Sequence, residues 1–321
     1  MEKKTIEQQI AEALLADRRA STFDSDARYA RSKGITPVDY SNIKQGKYQV
    51  NAQLISRQKW AMIARSIEFN PTEGLRLTTA PTRVYQYITG QLEVCRRMSI
   101  AVMMVDEPGI GKTHVCREYA RNHAGQVFYI NCSDSPGKTR FVEALARVLG
   151  LERERTIEDT FHTCVQYLTT FVQNPLLILD EAGDLEQPAI LMVKRLYNTT
   201  ENHLGIYMAG SDGLRTRLNS GLRLGKNGYT ELMSRMGARF SRCSPPKSEG
   251  AQRMRDFVRE EGRAVCLANG ITDERAISEI INQAPDLRKV VREIKKLHYA
   301  TQTPAIGRQT NTQVYENPKP Y

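Results

Sequence analysis

Residues 106–113 read DEPGIGKT and carry the residue types of a loop that binds a triphosphate. In the pattern G-x-x-x-x-G-K-[ST], glycine lets the backbone approach the phosphates, lysine reaches the β- and γ-phosphates, and the hydroxyl binds Mg²⁺. Gly111, Lys112 and Thr113 supply these groups, but Asp106 replaces the first glycine. Aspartate accepts unusual backbone angles better than most residues, so we expect a tolerated substitution at a turn. The alternative is a carboxylate that weakens triphosphate affinity.

The loop lies between a strand pattern and a helix pattern, which is the context that a phosphate-binding loop requires. The apolar run SIAVMMV precedes it at 99–105, and the helical pattern THVCREYARNH follows it. Backbone N–H groups at the start of that helix would surround the phosphate oxygens. The predicted nucleotide contacts are Pro108, Gly109, Ile110, Gly111, Lys112, Thr113 and His114.

A second acidic motif follows in LLILDEAGDL, where Asp180 and Glu181 end an apolar strand. Asp180 would hold Mg²⁺ through water, together with Thr113, and Glu181 would orient and deprotonate an attacking water. Many strands end in acids, so the alternative is a structural turn beside a solvated strand end. The two motifs together predict an ATP or GTP site.

Alternating apolar runs and helical patterns across 82–246 predict an α/β core with a parallel sheet and crossover helices. Thr156 and Asp159 are spaced as a capping box that opens a helix through Val172. The predicted strands are 99–105, 126–132, 176–180, 205–210 and 239–244.

Other stretches flank this core. Residues 1–68 show short helical patterns, and 69–81, with two prolines and a glycine, predict a linker. Residues 247–301 return to helix, which predicts a helical lid. Residues 302–321 lack periodicity, so we expect a disordered tail.

The composition bounds the class of protein. The chain has 321 residues, 40% hydrophobic and 26% charged, with a net charge of +10. Such a basic chain favours nucleic acid or an acidic surface as a partner, although the charge could serve solubility alone. The six cysteines lack metal-ligand spacing. Neither a signal peptide nor a membrane span is indicated, so we expect a cytoplasmic protein.

A helix-turn-helix is predicted within 26–48, with a turn at Gly34 and a second helix capped by Thr36. Val38 and Ile43 would face the core, and Asp39 with its polar neighbours would face the major groove. From Arg28 to Arg65 the chain is basic, which supports DNA binding; a helical bundle for protein contact is the alternative. The predicted DNA contacts here are Tyr40, Ser41, Asn42, Lys44 and Lys47.

With these motifs the chain resembles AAA+ ATPases. IYMAGSD resembles the strand of the sensor-1 residue, which would be Ser211, and APDLRKVVREI resembles the sensor-2 helix, with Arg288 over the nucleotide. ELMSRMGARFSRC resembles the segment of the arginine finger, with Arg235 or Arg239 in that role, although each arginine could be a solvated surface charge. The two lie four apart, so on a helix they would share a face. An AAA+ finger acts on the neighbouring subunit's nucleotide, so the resemblance implies a homo-oligomer.

Within AAA+ proteins, residues 26–300 resemble the MuB-like target-DNA activators of Mu-type transposition and the related TnsC regulators. The resemblance implies ATP with Mg²⁺, a helical filament on double-stranded DNA, and a transposase partner in a bacterial or phage-infected cytosol. In that family, loops after the second strand follow the DNA backbone. The corresponding residues are Lys138, Thr139 and Arg140, which could also be an ordinary exposed loop.

Two other functions remain open. A helicase loader of the DnaC or IstB kind would use the same ATPase with a different client, but the helix-turn-helix argues against it. A nucleotide-switched transcription regulator would hydrolyse little ATP, and Glu181 argues against that class because a switch needs no catalytic glutamate.

Overall fold

The amino-terminal unit is helical and has its own apolar core. A computed structural model describes residues 5–50, 53–67, 69 and 77–302, so most of the predicted linker and tail lies outside the described residues. The unit's core contains Leu14, Tyr29, Ile43, Trp60 and Ile63. Its elements are α1 (Ile6–Ala20), α2 (Asp26–Ser32), α3 (Pro37–Lys44), the antiparallel strands β1 (Gln49–Val50) and β2 (Gln53–Leu54), and α4 (Arg57–Ser66).

The predicted turn between α2 and α3 is present. Gly34 has a φ of +74°, a left-handed angle that favours glycine. The Thr36 hydroxyl accepts a hydrogen bond of 3.1 Å from the Asp39 N–H, and Pro37 occupies the first turn of α3.

The predicted orientation of α3 is wrong at three positions. Tyr40, a predicted DNA contact, is only 2% exposed, and its ring packs edge-on against Tyr29 with 5.6 Å between centroids. Asp39 is also buried and contacts the Lys59 ammonium, whereas Val38 is 61% exposed. A unit this small needs the large tyrosine ring in its core, so α3 presents a different face to solvent.

The central unit is an α/β fold around one parallel sheet. Its strands are β3 (Ala101–Val105), β4 (Val127–Asn131), β5 (Leu176–Asp180), β6 (Gly205–Gly210) and β7 (Phe240–Ser241). The order across the sheet is β4-β5-β6-β3-β7. All five predicted strands are confirmed, although β3 and β4 are each two residues shorter than predicted and β7 is four residues shorter.

Helices cover both faces of this sheet, and apolar clusters lie on each side. Every residue of β5 and β6 is buried, as expected for central parallel strands. The helix capped by Thr156 ends at Thr170, two residues before the predicted end. The helices are α5 (Arg83–Met98), α6 (Lys112–Asn122), α7 (Lys138–Val148), α8 (Ile157–Thr170), α9 (Gln187–Thr199), α10 (Asp212–Arg223) and α11 (Tyr229–Arg235).

The strand order positions the candidate site. β6 lies between β5 and β3, so the carboxyl ends of these three strands meet at one edge of the sheet. Val105 pairs with Gly210, and Leu179 pairs with Met208. The loop after β3, the acids at the end of β5 and Ser211 after β6 are therefore neighbours. Ligands bind at this edge in open α/β sheets.

Three helices form the carboxyl-terminal unit: α12 (Ala251–Ala268), α13 (Glu274–Asn282) and α14 (Leu287–Gln302). They enclose an apolar cluster that includes Ile277, Val290 and Ile294. The backbone N–H of Leu287 donates to the Gly109 carbonyl at 3.2 Å, which joins α14 to the loop after β3. The limits proposed for the domains remain predictions. No helix in the described ranges is long and apolar enough to cross a membrane.

Helix α2 docks the amino-terminal unit onto the central unit. The Arg28 guanidinium lies over the Tyr167 ring, 4.3 Å from its centroid, and Arg31 pairs with Glu152 at 2.6 Å. At Gly150 a Cβ atom would lie 2.3 Å from the Arg28 carbonyl oxygen, so only glycine permits this approach. Two arginines that sequence reasoning counted toward the DNA surface therefore contact the protein itself.

Candidate nucleotide-binding site

The loop between β3 and α6 has the backbone that the sequence pattern requires. Gly109 and Gly111 have φ angles of +82° and +106°, which side-chain-bearing residues rarely adopt. A Cβ atom at Gly109 would also lie 2.6 Å from a carboxylate oxygen of Asp286, just before α14. Ile110 is buried in the core, so only its backbone can contact a phosphate, whereas Pro108 is exposed.

Lys112 begins α6 and is only 8% exposed. Its Nζ donates hydrogen bonds of 2.8 Å to the carbonyl oxygens of both Asp106 and Glu107. Burial lowers the pKa of this ammonium, while the carboxylates of Asp106, Glu181 and Asp180 oppose that effect. An amine that is costly to keep charged when buried is stabilised by an anion, so the pocket fits a phosphate.

Asp106 makes more contacts than the tolerated turn expected from the sequence would need. Its carboxylate is buried and accepts hydrogen bonds from the backbone N–H groups of Glu107 (2.8 Å), Cys243 (2.7 Å) and Ser244 (3.0 Å). The Ser244 hydroxyl also donates to it. A glycine could make none of these bonds. The partners lie up to 138 residues away in the chain, so no local pattern could reveal them.

Asp180 lies at the end of β5, where its side chain is buried. The Tyr129 hydroxyl donates to its Oδ2 at 2.7 Å, and Arg117 donates to the same hydroxyl at 3.2 Å. Burial raises the pKa of Tyr129, and the Asp180 charge raises it further, so the phenol remains a donor. Sequence reasoning missed Tyr129, because a tyrosine inside a strand carries no signal of such a role.

Glu181 follows in a left-handed conformation, with a φ of +50°. Such an angle is uncommon for glutamate and is often found at functional sites. Burial and the neighbouring Asp180 raise the pKa of Glu181, while Lys112 acts in the opposite direction. A carboxylate with a raised pKa is a better proton acceptor than an ordinary one.

Ser211 and Arg288 approach the same site from different elements. Ser211 directly follows β6 at the start of α10, and its hydroxyl makes no capping bond to that helix. Arg288 is exposed in the first turn of α14, close enough for its charge to influence the pKa values of Lys112 and Glu181. The His114 ring lies 2.9 Å from the Thr79 hydroxyl.

Arg235 and Arg239 do not share a helix face as expected. Helix α11 ends at Arg235, and Gly237 and Ala238 follow with φ angles of +76° and +52°. Both arginines are exposed, and Arg235 pairs with Glu201 at 3.4 Å. Helix α11 ends before Gly237, so the four-residue spacing does not place the two arginines on one helix.

The predicted DNA contacts form two groups. On the amino-terminal unit, Ser41, Lys44 and Lys47 are exposed and Asn42 is half-buried, whereas Tyr40 is buried. Lys44 also pairs with Asp26 at 3.0 Å. On the central unit, the exposed residues Lys138, Thr139 and Arg140 form the first turn of α7, so they belong to a helix and not to a loop.

The site residues fit Mg²⁺ that arrives with a nucleotide. In the described ranges no group of three or more His, Cys, Asp or Glu side chains could hold a metal by itself. Mg²⁺ commonly binds through one or two carboxylates together with substrate phosphates and water. Thr113, the second residue of α6, and Asp180, with one oxygen bonded to Tyr129, supply such a partial set.

Comparison with known proteins supports the interpretation of the central unit. A family model described as an AAA domain matches residues 96–218, from the end of α5 into α10. The match includes the loop at 106–113, Asp180 and Glu181 at the end of β5, and Ser211. A comparison with curated proteins found no match.

Proposed function

We propose that this chain, which contains an AAA-type P-loop ATPase domain, is an ATP-dependent DNA-binding regulator of transposition. In this proposal it assembles on double-stranded DNA and delivers that DNA to a transposase. The observation that supports it most is the attachment of a helix-turn-helix unit to the ATPase through α2. Exposed basic side chains occur on both units, at Lys44 and Lys47 and at Lys138 and Arg140.

The nucleotide chemistry follows from the residues at the edge of the sheet. Backbone N–H groups from Gly109 to Thr113 would cradle the phosphates at the start of α6, and the Lys112 ammonium would neutralise charge on them. Mg²⁺ bound with ATP would supply further neutralisation of the phosphate charge. Glu181 would accept a proton from the attacking water, because its raised pKa suits a general base.

Ser211 and Arg288 would contact the phosphates from the sensor positions. Because Ser211 follows β6, between the loop and the two acids, its hydroxyl could orient the γ-phosphate or the attacking water. Arg288 would connect the nucleotide to the carboxyl-terminal unit. Positioned donors of this kind stabilise the charge that develops during phosphoryl transfer.

Assembly would complete the catalytic site. Arg235 and Arg239 are exposed, so either could contact the nucleotide of an adjacent subunit. An arginine finger supplied in trans makes hydrolysis depend on the oligomer. On the resemblance to MuB-like proteins, the oligomer would be a helical filament around DNA.

Contacts to the phosphate backbone would make DNA binding sensitive to salt and largely independent of sequence. The buried Tyr40 removes one aromatic side chain from the groove-facing set. The remaining candidates on α3 and after it are polar or cationic, which suits phosphate contacts better than a detailed reading of bases.

Electron microscopy with duplex DNA, with and without ATP, tests the assembly. We expect ATP-dependent filaments on duplex DNA and ATP turnover that rises when DNA is added. The Lys112→Ala variant is the matched control, because it lacks the phosphate-binding ammonium and should form no such filaments. Turnover that responds to a helicase and not to duplex DNA would favour a helicase loader instead.

A further inference from the structure

We propose that Asp106 is a positioning residue that ties the phosphate-binding loop to the segment after β7. The inference rests on the nucleotide-binding part of the proposed function. The segment is Arg242–Pro245, and the contacts between it and the loop are here called the latch. The aspartate that replaces the usual first glycine is then the residue that makes this connection.

The geometry of the carboxylate carries the first step. Ionised aspartate can only accept hydrogen bonds, and Asp106 faces four donors, three of them backbone N–H groups. Two of those N–H groups belong to Cys243 and Ser244, in the segment after β7. Charge-assisted bonds of this kind are about twice as strong as neutral ones. Without the carboxylate, donors in a buried position would lose their partner.

A second pair of side chains closes the latch. The Arg242 guanidinium donates to Glu107 in the loop at 3.0 Å. The same guanidinium donates to the carbonyl oxygens of Ser244 and Pro245, each at 3.0 Å, which fixes its own position. Asp106 and Glu107, consecutive in the loop, are therefore both attached to one short segment.

The latch reaches the phosphate-binding amine through the backbone. The carbonyl oxygens of Asp106 and Glu107 are the two acceptors of the Lys112 ammonium. The latch holds the residues that carry these carbonyls, so it also sets where the ammonium lies. On the other side, the segment continues through β7 to Arg239, three residues before Arg242. The segment that the latch holds is therefore continuous with the exposed arginine.

The competing interpretation is that Asp106 only fills a turn that glycine would fill equally well. On that basis Asp106→Gly, which restores the common pattern, would leave ATP affinity unchanged or increase it. On our interpretation, the same substitution weakens ATP binding by about tenfold or more. Buried donors are left unpaired, and the loop loses its attachment to the segment after β7. The two interpretations therefore predict different outcomes for Asp106→Gly. The ATP dissociation constant stays the same or falls on the first and rises on ours.

The experiment measures ATP dissociation constants by calorimetry for the full chain and four variants, with the melting temperature of each. Asp106→Gly removes the carboxylate. Asp106→Asn keeps the shape of the side chain, but its amide N–H groups then face the donors that the carboxylate accepted from. Arg242→Gln removes the guanidinium that donates to Glu107 and lies 3.6 Å from the Asp106 carboxylate, but leaves the backbone N–H donors to Asp106 in place. Asp273→Gly is the matched control, because Asp273 also accepts a backbone N–H, from Ala276 at 2.9 Å, in the cap of α13.

We expect both Asp106 variants to raise the dissociation constant by about tenfold or more, and Arg242→Gln to raise it by a smaller factor. Asp273→Gly should lower the melting temperature without changing ATP affinity. Wild-type affinity in Asp106→Gly would overturn the inference while leaving the proposed function intact. If the Asp106 variants do not fold, wild-type affinity in Arg242→Gln overturns it. A wild-type chain that binds no ATP overturns both.

Discussion

The Tyr129 hydroxyl donates a hydrogen bond of 2.7 Å to the carboxylate of Asp180, from the strand beside the one that Asp180 ends. One oxygen of the predicted Mg²⁺ residue is thereby oriented. We predict that Tyr129→Phe raises the Mg²⁺ concentration needed for half-maximal ATP turnover by roughly tenfold, within the range seen when partners of metal ligands are removed. Turnover measured against Mg²⁺ concentration tests this.

Tyr119→Phe is the control for this substitution. Its hydroxyl also donates to a carboxylate, that of Glu93, but this pair joins α6 to α5. The control should change thermal stability and leave the Mg²⁺ dependence as in the wild type. An unchanged Mg²⁺ dependence in Tyr129→Phe would show that Asp180 needs no such orientation.

Glu181→Gln should bind ATP normally but hydrolyse it about 10²–10⁴ times more slowly, the usual effect of losing a general base. With ATP retained, this variant should also remain on DNA longer than the wild type. Single-turnover hydrolysis and dissociation from labelled duplex DNA measure the two effects. Normal turnover would move the catalytic role to another residue.

The raised pKa of Glu181 predicts a pH dependence. The base must be deprotonated, so kcat/KM should fall as pH decreases through the raised pKa, at a higher pH than for an ordinary glutamate. Asp184 is one of the charges that raise this pKa. Asp184→Asn should therefore move the acidic limb of the kcat/KM profile to lower pH. A shift to higher pH, or none, would contradict the assignment.

The proposed arginine finger can be tested by measuring ATP turnover against protein concentration with DNA present. Removing the finger should lower turnover by about 10³-fold or more and leave ATP binding to a single subunit nearly intact. We favour Arg239 over Arg235, because Arg239 directly precedes β7, whereas Arg235 already pairs with Glu201. Arg235→Ala and Arg239→Ala serve as controls for each other. Wild-type turnover in both variants would exclude both arginines as the finger.

The DNA-binding surface proposed for the amino-terminal unit predicts a salt effect. Replacing Lys44 and Lys47 by glutamate should weaken duplex binding at every sequence and lower the slope of log affinity against log salt by about two. Replacing Lys295 and Lys296 by glutamate provides a control of equal charge change, because both are exposed lysines of α14. A slope equal to that of the wild type would place the DNA contacts elsewhere.

The sequence predicted the central strands because each is a short apolar run whose burial is required by its place in a parallel sheet. It also predicted the loop, since glycine at positive φ and lysine at a helix start are local requirements. Helix α3 was harder, because eight residues make about two turns and leave the choice of buried face open. The three errors at Val38, Asp39 and Tyr40 arose there.

Contacts between distant segments were beyond local patterns. Arg28 and Arg31 look like part of a basic surface in the sequence, yet one covers Tyr167 and the other pairs with Glu152. Asp106 looks like a defect in a glycine motif until its partners around Ser244 are known. In each case the sequence shows the charge of a side chain but not which distant element will pair with it.

Cys243 offers a chemical means of observing that contact in the native chain. The other five cysteines are buried, whereas Cys243 is partly exposed, and its backbone N–H is bonded to Asp106. Burial, with added repulsion from Asp106 and Glu261, raises the pKa of its thiol to about 11, so little reactive thiolate forms near neutral pH. Any displacement of this segment that admits water should accelerate alkylation at this one site. The labelling rate would thus follow the loop's response to a nucleotide without an introduced probe.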